Sequence, residues 1–181
     1  MVRPVSALLA AAASLAVASP ALAALPVGAA APDFSTQGAM AGKTFQFSLA
    51  QSLKKGPVVM YFFPAAFTTG CTIETKAFAD ASEDFKKAGA TLIGVAADPI
   101  ETLQRFSTEA CRSKFPVAIA SPKMIADYDV KLPLMGRSNR TSFVIGKNGK
   151  IAYVLSEMRP DGHITGTLAA LQAMGGKRGT K

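Results

Sequence analysis

The chain's thiol and imidazole chemistry rests on two cysteines, Cys71 and Cys111, and a single histidine, His163. Cys71 stands apart because of what precedes it. The segment Pro64-Ala65-Ala66-Phe67-Thr68-Thr69-Gly70 joins an apolar, strand-like run to a segment of helical character, and so places Cys71 at a helix N-terminus. There, unpaired backbone N–H groups and the positive end of the helix dipole favour the thiolate of a group whose free pKa is about 8.5. The thiolate is the reactive species, so the chemistry to expect is attack by sulfur. Pro64 ends the strand and limits the freedom of the loop, and Thr68 can turn its hydroxyl into the same pocket as donor and acceptor. Taken alone, Cys71 could equally be a buried structural cysteine, and Cys111 a small hydrophobe at the edge of a helix stripe. His163 precedes a helix and reads as a surface residue near its start. Glu74 reads as a first-turn helix residue favoured by the dipole rather than as a general base. One histidine and two widely spaced cysteines do not make a structural zinc site.

The elements that must position these residues follow from the hydrophobic pattern. Pro57-Val58-Val59-Met60-Tyr61-Phe62-Phe63-Pro64 is apolar on both faces, which predicts a central buried strand. From Cys71 to about Lys87 the spacing predicts one helix, with Ile73, Ala77, Phe78, Ala81 and Phe85 facing the core. Strands are expected at Gly42–Phe47, Ala90–Ala96 and Val117–Ala120, a helix from about Pro99 to Arg112, and a turn of helix near Met124–Tyr128. A Pro/Gly/Asn-rich loop covers Leu132–Asn139. Two further strands, Thr141–Ile145 and Ile151–Leu155, are joined by a tight turn around Asn148-Gly149. A last helix spans about Ile164–Met174; Ala24 to about Lys43 is rich in Ala, Gly and Pro, and within it Ala31-Pro32-Asp33-Phe34 reads as an extended segment tied to the core by Phe34. This order predicts an α/β protein of thioredoxin-like fold, a central mixed β-sheet with helices on both faces.

Composition narrows the setting. The 181 residues are 49% hydrophobic and 18% charged, an ordinary globular mixture. The formal net charge of +8 comes from scattered lysines and arginines, which gives no focused nucleic-acid surface. Residues 1–23 read as a signal peptide: Arg3, then an uncharged Ala/Leu/Val stretch, then Ser19-Pro20 before the small-residue site Ala21-Leu22-Ala23. The uncharged stretch is shorter than the roughly 20 residues a bilayer core requires. Residues 24–181 are then one domain, expected in the bacterial periplasm with no membrane attachment after cleavage. In an oxidising compartment two cysteines imply a structural disulfide or a redox pair.

The residues Pro64, Thr68 and Cys71 fill the pattern Pro-x-x-x-Thr-x-x-Cys, and this resembles the active site of the peroxiredoxins. Gly70-Cys71-Thr72-Ile73-Glu74 is similar to the bacterioferritin-comigratory, or PrxQ-type, branch of that AhpC/TSA family. The likeness extends from Val27-Gly28 and Ala31-Pro32-Asp33-Phe34 to Arg140-Thr141-Ser142-Phe143-Val144-Ile145 and the final helix. By that resemblance Cys71 is the peroxidatic nucleophile, Thr68 orients the peroxide, and Arg140 keeps the cysteine ionised and stabilises charge as the O–O bond breaks. Arg137 lies in the same loop, but only Arg140 matches the family's Arg-(Ser/Thr)-(Ser/Thr)-Phe block.

The resemblance further implies a hydroperoxide substrate, a thioredoxin-like or small-thiol reductant, no metal, haem or flavin cofactor, and a monomer or homodimer. The chain departs from the pattern at the resolving cysteine: Lys76 stands where many members of the branch carry it. Cys111 is the other candidate, near the position a second subgroup uses, and the alternative is a one-cysteine mechanism completed by an external thiol. Two other readings compete: a thiol–disulfide oxidoreductase, which would want Cys-x-x-Cys but has Glu at 74, and a metal-binding module lacking a second nearby thiol.

Overall fold

A computed structural model describes residues 24–176. The signal-peptide reading falls on residues 1–23 and lies outside the described residues. The chain forms seven strands and six helices in that span: β1 (Ser35–Met40), β2 (Lys43–Ser48), α1 (Leu49–Lys55), β3 (Val58–Phe62), α2 (Thr69–Asp80), α3 (Ser82–Lys87), β4 (Thr91–Ala96), α4 (Ile100–Glu109), β5 (Val117–Ile119), α5 (Pro122–Asp127), β6 (Thr141–Ile145), β7 (Ile151–Ser156) and α6 (His163–Gly176). The strands make one sheet in the order β2-β1-β5-β4-β3-β6-β7. β3 pairs parallel to β4 and antiparallel to β6, so the sheet is mixed, as expected.

β3 shows why the sheet is covered on both faces. All five of its residues are buried, and successive side chains point to opposite sides. Val59 and Tyr61, with Phe63 beyond the strand end, join Phe78 of α2, Phe85 of α3, Leu103 and Phe106 of α4, and Leu171 of α6 in one core. Val58, Met60 and Phe62 join Leu49 of α1 and Met124 and Ile125 of α5 in the other. Both cysteines lie in the first core. On β4, Gly94 makes room for the Tyr61 ring: a Cβ there would fall 2.7 Å from ring atoms.

Three parts of the fold depart from the sequence pattern. β1 runs where no element was expected, in the Ala/Gly/Pro-rich stretch after Phe34, and is joined to β2 by Ala41-Gly42, both at positive φ. Such a two-residue hairpin turn is usually marked by Asn-Gly, and alanine in the first position hides it. α1 is too short to show a stripe, although its N-cap Ser48 accepts from the Gln51 backbone N–H. The expected single helix from Cys71 to Lys87 is divided at Ala81. Glu83 and Asp84 sit in the first turn of α3, the composition of a helix start rather than a helix middle.

α2 is also rotated from the expected orientation. Its buried residues are Cys71, Glu74, Thr75, Phe78 and Ala79, while Ile73 is exposed. Because Cys71 faces the sheet, the positions three, four and seven residues on must face it too. Glu74, read from the sequence only as a first-turn helix residue, is therefore carried inside.

Candidate active site

The loop from β3 to α2 is fixed before it reaches Cys71. Ser138 donates to the Phe63 carbonyl (3.2 Å), and Arg137 donates from Nη1 to the Pro64 carbonyl (2.9 Å) and to Asp98 (3.3 Å). Asp98 in turn accepts from the Ala66 backbone N–H at 3.0 Å. Phe67 takes a positive φ of 63° and packs edge-on against Phe106, with Arg105 over its ring. These contacts aim the first turn of α2. Arg137 thus has a role in holding the loop that the family pattern did not assign, and Asp98 had no sequence signal beyond its place after β4.

Thr68 is the N-cap of α2 but makes no side-chain capping bond. Its hydroxyl donates to the Ala65 carbonyl at 3.0 Å, not to Cys71. That hydrogen is spent within the loop, and the exposed hydroxyl oxygen keeps lone pairs that can accept. Pro64 is half-buried and closes the strand, as expected.

Cys71 is buried, and Nη2 of Arg140 lies 3.6 Å from its Sγ. The guanidinium is held on two further sides: Nε donates to the Met158 carbonyl (2.8 Å), and Nη1 is paired with the carboxylate of Glu74. Gly70 permits this approach, since a Cβ there would lie 3.1 Å from Nη2. Arg140 and Glu74 are both buried, so this is not a screened surface pair. Burial pushes the Glu74 carboxyl up, to about 8, against the pull of Arg140.

His163 is fully buried, not on the surface as expected. Ser142 on β6 and the Glu157 carbonyl meet its two ring nitrogens, and these partners make burial tolerable. Burial lowers its pKa from 6.5, with the Glu157 carbonyl opposing and Arg140 adding to the shift. A histidine depressed in the folded state contributes stability that is fully present above about 6.5 and is lost as the pH falls through the folded value. The thermal midpoint should therefore drop on acidification below that point, and His163→Asn should lose part of this drop; unchanged acid sensitivity in the variant would contradict it.

Cys111 lies just past α4, fully buried, and its neighbours Arg112 and Ser113 both adopt positive φ. Burial pushes its thiol far above the usual range. Cys71 and Cys111 are both free. Between their segments runs a shallow cleft lined by Phe67, Thr72, Lys76, Glu109 and Ala110. Tyr61 lies in the same layer with its hydroxyl 2.9 Å from Thr75, and after burial itself, charge on Cys111, Glu74 and Cys71 raises its pKa.

Known proteins resemble this arrangement. The pattern of the AhpC/TSA family matches residues 27–154. A chloroplastic peroxiredoxin Q of Oryza sativa subsp. japonica is 35% identical over 152 residues, 81% of this chain and 67% of that protein. A putative peroxiredoxin of Mycobacterium tuberculosis is 36% identical over 131 residues, 70% of this chain and 84% of that one. Among solved structures, the peroxidoxin BcpB of Mycobacterium tuberculosis superposes with a TM-score of 0.74 at 33% identity, covering 82% of this chain and 97% of that one. Fold and relatives together define the class, a thiol-dependent peroxidase built on a thioredoxin-like fold. The chain belongs to the AhpC/TSA family, and its relatives include peroxiredoxins of the Q type.

Proposed function

We propose that Cys71 is the peroxidatic nucleophile. Its thiolate attacks the terminal oxygen of a hydroperoxide; the S–O bond forms as the O–O bond breaks. Sulfur is oxidised by two electrons to the sulfenic acid, and the departing oxygen takes a proton and leaves as water or an alcohol. The observation that carries this reading is the Arg140 guanidinium 3.6 Å from the Cys71 sulfur at the start of α2. It faces both the thiolate and the place where negative oxygen develops.

Thr68 supports the same step as an acceptor for the peroxide O–H. Thr68→Val removes that acceptor from an exposed position, so the fold should persist while the oxidation rate falls about five-fold, the worth of one hydrogen bond. Stopped-flow oxidation of the reduced protein measures this, and an unchanged rate would remove Thr68 from the reaction.

Organic hydroperoxides fit as well as hydrogen peroxide. Phe67, Ile73, Leu134, Met135 and Met158 are exposed apolar side chains on the segments that frame Cys71 and carry Arg137 and Arg140. They offer an apolar landing for a substrate's organic group or for a thioredoxin-like reductant. The sequence of residues 1–23 supports export and a periplasmic site of action, where that reductant would act.

Recycling proceeds through Cys111 or an external thiol. Both thiols are free and buried in the same core, and a disulfide between them would bring their Cα atoms within about 4.4–6.8 Å. Intact mass after one equivalent of hydrogen peroxide tests the whole scheme. Loss of two hydrogens within the monomer identifies Cys111 as the resolving group; gain of one oxygen identifies a one-cysteine enzyme; no rapid change rejects the peroxidase role of Cys71. Cys111→Ala should leave the first oxidation at its normal rate and, where Cys111 resolves, convert the mass change from loss of two hydrogens to gain of oxygen.

A further inference from the structure

Behind Arg140 lies a buried polar chain. Glu74 pairs with Arg140 through Oε2, and its other oxygen, Oε1, is buried with no hydrogen-bond partner among the described residues. The group opposite that oxygen is Nδ1 of His163, 3.8 Å away. His163 Nε2 lies 3.0 Å from the Glu157 carbonyl, and Nδ1 lies 2.8 Å from the Ser142 hydroxyl. A carbonyl only accepts, so Nε2 carries a hydrogen, and a neutral ring then presents a lone pair at Nδ1. With Glu74 ionised and His163 neutral, two acceptors face each other away from water, and one carboxylate oxygen has no donor.

One added proton, on Oε1 or on Nδ1, turns two facing acceptors 3.8 Å apart into a donor and an acceptor, which need only a small approach to bond. The single site at Nδ1 then serves either Oε1 or the Ser142 hydroxyl, which can rotate to donate to a bare Nδ1 or accept from Nδ1–H. The charge balance of the site argues for the same proton. A Cys71 thiolate, Arg140 and an ionised Glu74 sum to a net negative charge in a buried site, whereas the added proton makes the group neutral.

We propose that Glu74 and His163 hold one proton between them, and that this proton leaves the Arg140 charge available to the Cys71 thiolate, which makes His163 and Ser142 positioning residues for peroxide reduction. The inference rests on Cys71 being the nucleophile. The charged groups facing the imidazole are Glu74 from α2, Arg140 just before β6, and Glu157 with the Arg159 backbone from the segment between β7 and α6; the first turn of α6 carries no acid. Burial pushes Glu74 up and His163 down, and the Nδ1 lone pair facing Oε1 is the acceptor that favours the proton on the carboxyl side.

The test compares Cys71 alkylation by iodoacetamide and oxidation by hydrogen peroxide across the neutral pH range in the full chain. His163→Ala should slow both about ten-fold, the thiolate loss that one pKa unit represents. Adding Glu74→Gln, which makes residue 74 permanently neutral, should restore most of the loss. A role confined to packing predicts that the double variant is no faster than the single one, and that result, or a His163→Ala protein with normal rates and pH profile, overturns the proposal.

Where His163→Ala does not fold, the unaltered ring gives the answer, because it is the chain's only histidine. By linkage, a thiolate that depends on the pair's proton raises the pair's affinity for it. The ring-nitrogen NMR titration should therefore differ between the wild-type protein and Cys71→Ser, and coincident titrations overturn the proposal. Alkylation and NMR need no peroxide turnover, so failure of the peroxidase reading would be seen separately, as normal alkylation without peroxide reduction.

Discussion

Replacing Cys71 with serine is expected to abolish peroxide reduction, by at least about a thousand-fold, because a serine hydroxyl is a weak nucleophile without an adjacent base. Nothing in the site would activate it. The groups around residue 71 are Arg140, which stays protonated, and Glu74, which faces Arg140 rather than the sulfur. The substitution is small, and Arg140 can donate to a serine oxygen as it does to sulfur, so the fold should survive with a stability change of about 1 kcal/mol. Peroxide consumption with excess dithiol, together with the thermal midpoint, separates chemistry from folding. A folded Cys71→Ser protein that consumed peroxide at the normal rate would move the nucleophile to Cys111 or remove thiol chemistry altogether.

The proposed nucleophile stood out in the sequence because its signals are local. The apolar run of β3, the proline after it and a cysteine at a helix start are read within one short window, and so is the Asn148-Gly149 turn between β6 and β7. The support of the site was not legible, because it is assembled from distant segments. Glu74 looks like any polar residue in a first helical turn, and it becomes a buried partner only when α2 turns Cys71 toward the sheet and β6 delivers Arg140. His163 looks exposed until Ser142 and the Glu157 carbonyl meet its ring. Arg137 and Asp98 are ordinary loop charges until they clamp the Pro64 carbonyl and the Ala66 N–H. Periodicity favoured Ile73 as core because it weighs hydrophobicity alone; the chain buries a thiol, a carboxylate and a threonine on that face because the site requires them there. β1 and α1 were missed for a simpler reason, an unmarked turn and a helix of only seven residues.

The second large effect is expected at Arg140, where one substitution acts on both the reaction and the fold. Arg140→Met keeps most of the apolar stem but removes the donor 3.6 Å from Cys71 and the guanidinium paired with Glu74. Loss of a donor aimed at developing charge costs about a hundred- to a thousand-fold in rate. The pH profile of Cys71 alkylation should also move to the alkaline side, since a positive charge beside the thiolate is gone. Stability should fall as well, by up to about 3–5 kcal/mol at alkaline pH, where Glu74 ionises and its charge is left buried and unpaired. Glu74 sets the pH dependence of that loss. Burial already raises its pKa from 4.5, and without Arg140 nothing opposes the rise. A carboxyl whose folded pKa is raised favours folding at low pH, and that advantage is lost as the pH climbs from 4.5 through the folded value. The stability gap between Arg140→Met and the wild-type protein should thus be small in mild acid and widen toward alkaline pH. Arg140→Lys, which restores a charge but not the forked donors, should recover stability more than rate. A variant with normal rate, or a stability gap that narrows as the pH rises, would show that Glu74 and Cys71 do not share Arg140.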